Sequence, residues 1–495
     1  MPRPSRPRPH ALADLAGWLG LPPVAAPATT VTGITHASGL VRPGDLYVAL
    51  PGGRTHGARF AGPAAAAGAV AVLTDRAGRE LAELARLPVL VVDEPRLLLG
   101  RVADWVYGEP TAALLVLGVT GTSGKTTTAY LLEAGLAAAG HTTGLIGTVE
   151  TRMAGHAVTS SLTTPEATDL HATFAAMRER GVSAVAMEVS SHALELGRVG
   201  GVRFAVGAFT NLSQDHLDFH AGMAEYFAAK ATLFDGRCAH EVVNVDDPYG
   251  LRLVGPDTST VSAAGAADAR WRAADIVTAA GSGSQFVING PGGLSVPATM
   301  RLPGRYNVAN ALLAVAVLAA IGVDPAVAAK ALADVAVPGR MERVDVGQPF
   351  LAVVDYAHKP DAVAAALSTL RPLTAGRLII VLGCGGDRDR GKRPLMGEAA
   401  ARGADLVVVT DDNPRSEEPA RIRAEMAAGV RRVPAAEWVE IGDRREAVAE
   451  AVRRAAAGDT VLVAGKGHEQ GQDVAGVVRP FDDRAVLRQA LLEHR

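Results

Sequence analysis

Residues 118–128, GVTGTSGKTTT, carry the densest chemistry in the chain. The apolar residues Leu114, Leu115, Val116 and Leu117 lead in, and TAYLLEAGLAAAG follows with helical spacing, so a strand turns into a helix here. Backbone N–H groups of a glycine-rich turn at a helix N-terminus bind oxyanions, and this turn offers Gly121, Thr122, Ser123, Gly124, Lys125, Thr126 and Thr127. Lys125 can reach the β- and γ-phosphates of a nucleotide, and the Thr126 hydroxyl suits Mg²⁺. The spacing departs from the general phosphate-loop pattern, because Val119 stands at the first glycine position and Gly118 comes one residue early. Gly121 and Gly124 still bracket the turn. A phosphate loop follows from this, with hydrolase, kinase, motor and ligase chemistry all open.

Further candidates lie at the ends of apolar runs, where parallel sheets put their ligand crevice. Glu188 ends SAVAMEV, the position of an acid that holds Mg²⁺ beside a phosphate loop; a strand-terminal surface glutamate is the plainer reading. TNLSQDHLDFH supplies Asp215, His216 and Asp218 after another run, with His216 as a metal ligand or a structural histidine. Lys230 lies within YFAAKATLF, beside Tyr226, Phe227, Leu233 and Phe234. A lysine in such a helix ordinarily snorkels to the surface.

These residues need a scaffold. At about 150 residues per domain, the 495-residue chain suggests three domains, drawn at 1–108, 109–337 and 338–495. In the first, DLYVAL, AVAVL and LPVLVV alternate with Gly/Pro turns and an Ala-rich segment, a small α/β unit. In the third, LAVVDYAH, RLIIVLGCGG, DLVVVT and TVLVAGKG alternate with helical stretches, which implies a doubly wound parallel sheet. The start, MPRPSRPRPH, is basic and Pro-rich without an apolar h-region, so residues 1–12 read as a disordered tail rather than a signal peptide. A formal charge of −3 without long basic blocks argues against nucleic acid. The apolar run 311–323 is shorter than the ~20 residues that span a bilayer, so no membrane insertion is expected. Two distant cysteines, Cys238 and Cys384, fit a reducing cytoplasm. Neither oligomeric state nor an obligatory protein partner is readable.

A set of stretches together resembles the Mur ligases, the ATP-dependent amino-acid-adding enzymes of peptidoglycan synthesis. They are GTSGKTTT, LTTP, MEVSSHAL, TNLSQDHLDFH, YFAAKATLF, GRYNVANA, PGRMERV, VDYAHKPDA, CGGDRDRGKRP, TDDNPR and GKGHEQ, in family order over about the last four-fifths of the chain. TDDNPR and GKGHEQ resemble those of the diaminopimelate-adding members. The resemblance implies an α/β, three-domain architecture: a small N-terminal UDP-substrate domain, a central P-loop ATPase-like domain and a C-terminal Rossmann-like amino-acid domain. It implies ATP and Mg²⁺, with UDP-MurNAc-L-Ala-D-Glu and 2,6-diaminopimelate as substrates, and phosphoryl transfer to the substrate's terminal carboxylate before the amine attacks.

By the same resemblance Lys125, Thr126, Glu188, His216 and Lys230 serve the phosphoryl group and metal, with Lys230 carbamylated by CO₂ into an anionic ligand. Desolvation among aromatics, which lowers a lysine's pKa, is consistent with that chemistry. Asn307 and Asn310 lie near the adenine, and Arg340, Asp355 and His358 complete the ATP site; Arg340 and Asp355 also read as a structural ion pair. Thr163, Thr164, Ser190 and Arg198 contact the muropeptide. Two departures weaken this map: Leu196 stands where the family often has Gln, which leaves that contact missing or taken by Glu195, and Ala37-Ser38-Gly39 replaces Asp-Ser-Arg, keeping only Ser38 for the uridine side. For the diamino acid, Arg415 in Asp412-Asn413-Pro414-Arg415 can clamp the distal carboxylate, Arg388 offers a second guanidinium, and Glu469 with the Gly465 carbonyl can take the ammonium. Competing readings are a lysine-adding muropeptide ligase, folylpolyglutamate synthetase, a P-loop switch or transport motor, and a non-catalytic nucleotide-binding regulator.

Overall fold

The computed structural model describes residues 2–494 apart from 25, 159–161, 218 and 280–282. The chain forms two compact units, one of residues 1–120, 139–208 and 229–241, the other of residues 121–138, 209–228 and 242–495.

In the first unit, Gly33–Thr35, Asp45–Ala49, Ala71–Thr74 and Val89–Val91 form a four-stranded parallel sheet in chain order. Leu46, Val48, Leu73 and Leu90 enter one core with the helix Pro95–Val106, while Tyr47, Ala49 and Val72 enter another. That alternation is why the strands read as continuous apolar runs. A second sheet carries Thr143–Ile146, Ala184–Glu188 and Leu115–Thr120 in parallel. Its register sets Glu188 opposite Val119, so the acid stands beside the end of the strand that leads into the phosphate loop.

The segment expected as a disordered tail makes contacts within this unit. Arg3 donates to both carboxylate oxygens of Asp45 at 2.7 and 2.8 Å, and the Ser5 and Arg6 N–H groups donate to Glu179 at 2.7 and 2.8 Å. His10–Ala11 then pairs antiparallel with Thr30–Val31. The cause is not local composition: Asp45 is 1% exposed, and a buried carboxylate requires a cation, which the distant Arg3 supplies.

In the second unit, helix Lys125–Ala138 packs on helix Arg305–Ala320 closely enough that a Cβ at Gly135 would meet Leu318 at 2.2 Å. Strands Trp271–Ala279, Gly283–Asn289 and Ser295–Met300 form an antiparallel meander. The C-terminal sheet runs Glu342–Arg343, Leu351–Asp355, Thr460–Ala464, Leu378–Leu382, Leu406–Val409, Glu437–Glu440, parallel after its first antiparallel pair. Leu378, Ile380 and Leu382 pack with Met396 and Met426, while Ile379 and Val381 pack with Val448 and Leu487. Both faces are therefore covered, as the doubly wound reading required. Beneath them the fully buried pair Arg444–Asp483 closes at 2.7 Å. No described helix is long and apolar enough to cross a membrane.

Candidate active site

Gly121 and Gly124 take φ values of 145° and 91°, and a side chain at either would collide with the Thr210 hydroxyl at 1.8 Å or with Asn310 Oδ1 at 2.4 Å. Only glycine serves there. The loop is braced from outside: Asn211 accepts the Thr122 and Ser123 N–H groups at 2.8 and 3.0 Å through its carbonyl and side-chain oxygens, and the Thr122 hydroxyl lies 3.0 Å from that of Tyr226. With Thr122 and Ser123 so engaged, the N–H groups of the first helical turn, which lack intrahelical acceptors, are the ones suited to an anion. Lys125 Nζ donates to the Gly121 and Thr122 carbonyls at 2.9 and 3.0 Å, and Thr126 and Thr127 are buried.

The C-terminal segment reaches the same loop. Arg340 Nη2 donates to Thr126 Oγ1 at 3.3 Å, and its Nη1 is buried with no hydrogen-bond partner among the described residues. An orphaned buried guanidinium nitrogen beside a phosphate loop fits an anionic ligand oxygen. Asp355 is not the direct mate of Arg340: its carboxylate accepts the Met341 and Ala357 N–H groups at 2.7 and 2.8 Å and so fixes the turn that presents Arg340. Burial raises its pKa against the pull of Arg340. His358 Nδ1 donates to the Tyr356 carbonyl at 2.7 Å, and burial, then Lys359 and Lys392, hold the ring down to about 3. Asn307 and Asn310 are buried and bonded to the Pro303 carbonyl and to each other at 2.8 and 3.4 Å, with Asn310 against Gly124.

His216 has φ of 53° and lies 3.1 Å from Asp215. Burial opposes ionisation of Asp215, but Lys359, His216 and His358 outweigh it and hold the carboxyl well below the usual range. Asp218 lies outside the described residues.

In the first unit Glu188 is 1% exposed, so the surface reading is excluded. It accepts the Thr148 N–H at 2.7 Å and hydroxyl at 3.1 Å, and Gly147 leaves it room: a Cβ there would lie 2.5 Å from Glu188 Oε1. Thr163 bonds Thr148 at 2.9 Å, Thr164 donates to the Glu188 carbonyl at 2.9 Å, and Ser190 caps its helix through the Ala193 N–H at 3.2 Å. Arg198 pairs with Glu166 at 2.8 Å and donates to the Thr164 carbonyl at 3.3 Å. These five expected residues thus form one connected group. Ser38 belongs to the 3₁₀ turn Ser38–Leu40 that follows the first strand of the four-stranded sheet. Glu195 is exposed.

Lys230 is 1% exposed, which removes the snorkelling reading. Among the described residues no three His, Cys, Asp or Glu side chains converge as a cation site. A Mg²⁺ ion here would therefore draw on hydroxyl oxygens, single carboxylates and ligand phosphates, as that ion commonly does.

At the far end of the C-terminal sheet, Asn413 Oδ1 accepts Lys466 Nζ at 2.8 Å and Asn413 Nδ2 donates to Glu469 at 2.9 Å. Lys466, fully buried, also lies 3.3 Å from both Asp412 and Glu469. Burial opposes ionisation of Asp412, but Lys466 and Arg444 keep its pKa low. Arg415 has φ of 53°, and its Nη1 donates to the Gly386 carbonyl at 2.6 Å, while Arg388 is exposed. Gly465 has φ of 114°.

Three family models match in order: the Mur ligase catalytic domain over 30–107, the Mur ligase middle domain over 119–318, and the Mur ligase glutamate ligase domain over 339–467. A Streptomyces coelicolor protein named UDP-N-acetylmuramoyl-L-alanyl-D-glutamate–2,6-diaminopimelate ligase is 58% identical, covering 99% of this chain and 98% of that one. The chain belongs to the Mur ligase family. A Corynebacterium glutamicum relative of the same name is 54% identical over 90% of this chain and 89% of its own. A solved structure of a ligase of that name, 32% identical, matches with a TM-score of 0.66 over 95% of this chain and 96% of that one. The three-domain fold expected from the sequence is therefore the fold of this Mur ligase.

Several residues of this Mur ligase that touch the candidate site escaped the sequence reading. Lys359, 6% exposed, pairs with Asp215 at 2.7 Å; it follows His358 in VDYAHKPDA, and a lysine between a strand and the Pro that opens the next helix was the available signal. Tyr226, Glu166 and Lys466 act through partners remote in sequence, which no local pattern encodes.

Proposed function

We propose that this Mur ligase adds 2,6-diaminopimelate to the D-glutamate of UDP-MurNAc-L-Ala-D-Glu, consuming ATP in peptidoglycan precursor synthesis. The observation that carries the reading is 58% identity, over nearly all of both chains, to a ligase of that name. A carboxylate is a poor electrophile until one oxygen becomes a leaving group. Its oxygen therefore attacks the γ-phosphorus of ATP, ADP departs, and an acyl phosphate forms. The amine of diaminopimelate then attacks the acyl carbon, loses a proton, and the tetrahedral intermediate collapses with expulsion of phosphate.

Roles follow from chemistry and position. The first helical turn after Gly124, with Lys125, binds the phosphates, and Arg340 adds a guanidinium to the same loop. Thr126, Glu188, His216 and Lys230, the last as a carbamate, are the residues to which we assign Mg²⁺. When bound, the ion neutralises phosphate charge. Thr163, Thr164, Ser190 and Arg198 hold the muropeptide, with Ser38 on the uridine side. Arg415 and Arg388 face the distal carboxylate of diaminopimelate, and Glu469 with the Gly465 carbonyl takes its ammonium; Asp412, Asn413 and Pro414 shape that pocket. We assign the enzyme to the cytoplasm, where its nucleotide substrates are made, and divide the domains near residues 108 and 337.

The test is phosphate release by the purified chain with ATP and Mg²⁺. Release is expected only when both UDP-MurNAc-L-Ala-D-Glu and diaminopimelate are present. Release that ignores either substrate contradicts the proposal.

A further inference from the structure

Two ammonium groups converge on one carbonyl of the phosphate loop. Lys125 Nζ lies 3.0 Å from the Thr122 oxygen, and Lys359 Nζ, arriving from the start of helix Pro360–Leu370, lies 3.5 Å from the same atom. A backbone carbonyl carries only a partial negative charge. It does not explain why a second cation, 6% exposed, is brought to it across 237 residues of chain. Asp215 balances Lys359 at 2.7 Å, but Asp215 also faces His216, and Arg340 approaches Thr126 one helical step further along. Lys125, Lys359 and Arg340 thus all approach the loop, with the Asp215 carboxylate on Lys359 and that of Asp355 near Arg340. A phosphoryl group in transfer spreads negative charge over three oxygens and is the kind of ligand that such an excess of positive charge stabilises.

We propose that Lys359 contacts the transferring γ-phosphoryl group of ATP together with Lys125, and that Asp215 is the positioning carboxylate that aims it. The inference rests on the ligase reading above. Lys359 remains an ammonium throughout: it donates hydrogen bonds and takes no part in bond making. Because ADP lacks the γ-phosphoryl group, Lys359 must discriminate between the two nucleotides, whereas Lys125 serves both. A lysine that merely ties two elements together would not discriminate.

Titration calorimetry with ADP and with the non-hydrolysable β,γ-methylene analogue of ATP, both with Mg²⁺, separates these cases. Lys359→Gln is expected to leave ADP affinity within about twofold of wild type, to weaken the analogue about tenfold or more, and to lower kcat more than it raises KM for diaminopimelate. Lys125→Ala should weaken both nucleotides. Since Lys359→Gln leaves Asp215 buried without its cation, the double variant Asp215→Asn/Lys359→Gln, which removes both charges, provides a second test with the same expectation. Equal losses for ADP and the analogue, or no loss for either, in whichever of the two variants folds, would overturn the inference. Wild-type enzyme that forms no ADP from ATP, muropeptide and diaminopimelate would instead overturn the ligase reading, while the nucleotide comparison would still judge Lys359.

Discussion

Arg340 Nη2 donates to Thr126 Oγ1 at 3.3 Å, while the same guanidinium lies 4.1 Å from the centre of the Tyr356 ring. A residue from the PGRM turn is thereby held against the hydroxyl that follows the phosphate-loop lysine. Cation–π stacking and the Asp355-braced turn fix its aim. A hydrogen bond to a charged group contributes roughly 1.5–3 kcal/mol, so Arg340→Ala should lower kcat/KM for ATP by about one to two orders of magnitude. Steady-state kinetics with ATP varied checks this, and an unchanged kcat/KM contradicts it. If chemistry also needs the C-terminal segment seated on the loop, small-angle scattering with ATP analogue and muropeptide should report a more compact particle for wild type than for Arg340→Ala.

Lys230 is 1% exposed, near the end of helix Met223–Ala231, and burial favours the neutral amine, the form that reacts with CO₂. The proposed carbamylation would convert it into an anion able to serve Mg²⁺. Enzyme equilibrated with ¹³CO₂ should therefore give a carbamate carbon resonance that is lost in Lys230→Ala, with turnover falling by orders of magnitude and muropeptide binding largely kept. An active enzyme with no such resonance contradicts the assignment.

The strand–turn–helix at Gly121–Gly124 was legible because its parts are contiguous, and the strand ending at Glu188 because its apolar run is unbroken. The C-terminal sheet was legible for the same reason: Leu378–Leu382 is apolar at every position because both of its faces are covered. What escaped depends on pairs distant in sequence. Arg3 reaches Asp45, Lys359 reaches Asp215, and Lys466 reaches Asn413, and each bond ties a residue that looks like ordinary surface charge into the fold. The edge strand Glu437–Glu440 also escaped, since glutamates at both ends leave only Trp438 and Val439 as its apolar signature.

His358 gives a pH signature. Its ring is held down to about 3, first by burial and then by Lys359 and Lys392, whereas an unfolded histidine titrates near 6.5. Between those values the unfolded chain binds the proton and the folded chain does not. Stability from this group is thus complete above about 6.5 and is lost progressively as pH falls toward 3, at no more than about 1.4 kcal/mol per pH unit. Urea unfolding at pH 7, 6 and 5 should show a shallower decline for His358→Asn than for wild type. Equal slopes contradict the depressed pKa.

Arg415 is the residue proposed to separate diaminopimelate from lysine, which lacks the distal carboxylate. Its left-handed backbone and the bond to the Gly386 carbonyl hold the guanidinium in place beside the Asp412–Lys466 network. Arg415→Ala should weaken diaminopimelate use by about one to two orders of magnitude, and lysine use far less. Equal losses for both amino acids contradict the assignment.

The central claim is tested most directly by mass spectrometry of the product. Purified enzyme is given ATP, Mg²⁺, UDP-MurNAc-L-Ala-D-Glu and equimolar 2,6-diaminopimelate and lysine. The account predicts that the nucleotide-linked product carries diaminopimelate almost exclusively, joined to the glutamate as an amide, with one ADP and one phosphate formed per product. A product carrying lysine as readily as diaminopimelate, or no amide product while ATP is consumed, would contradict it.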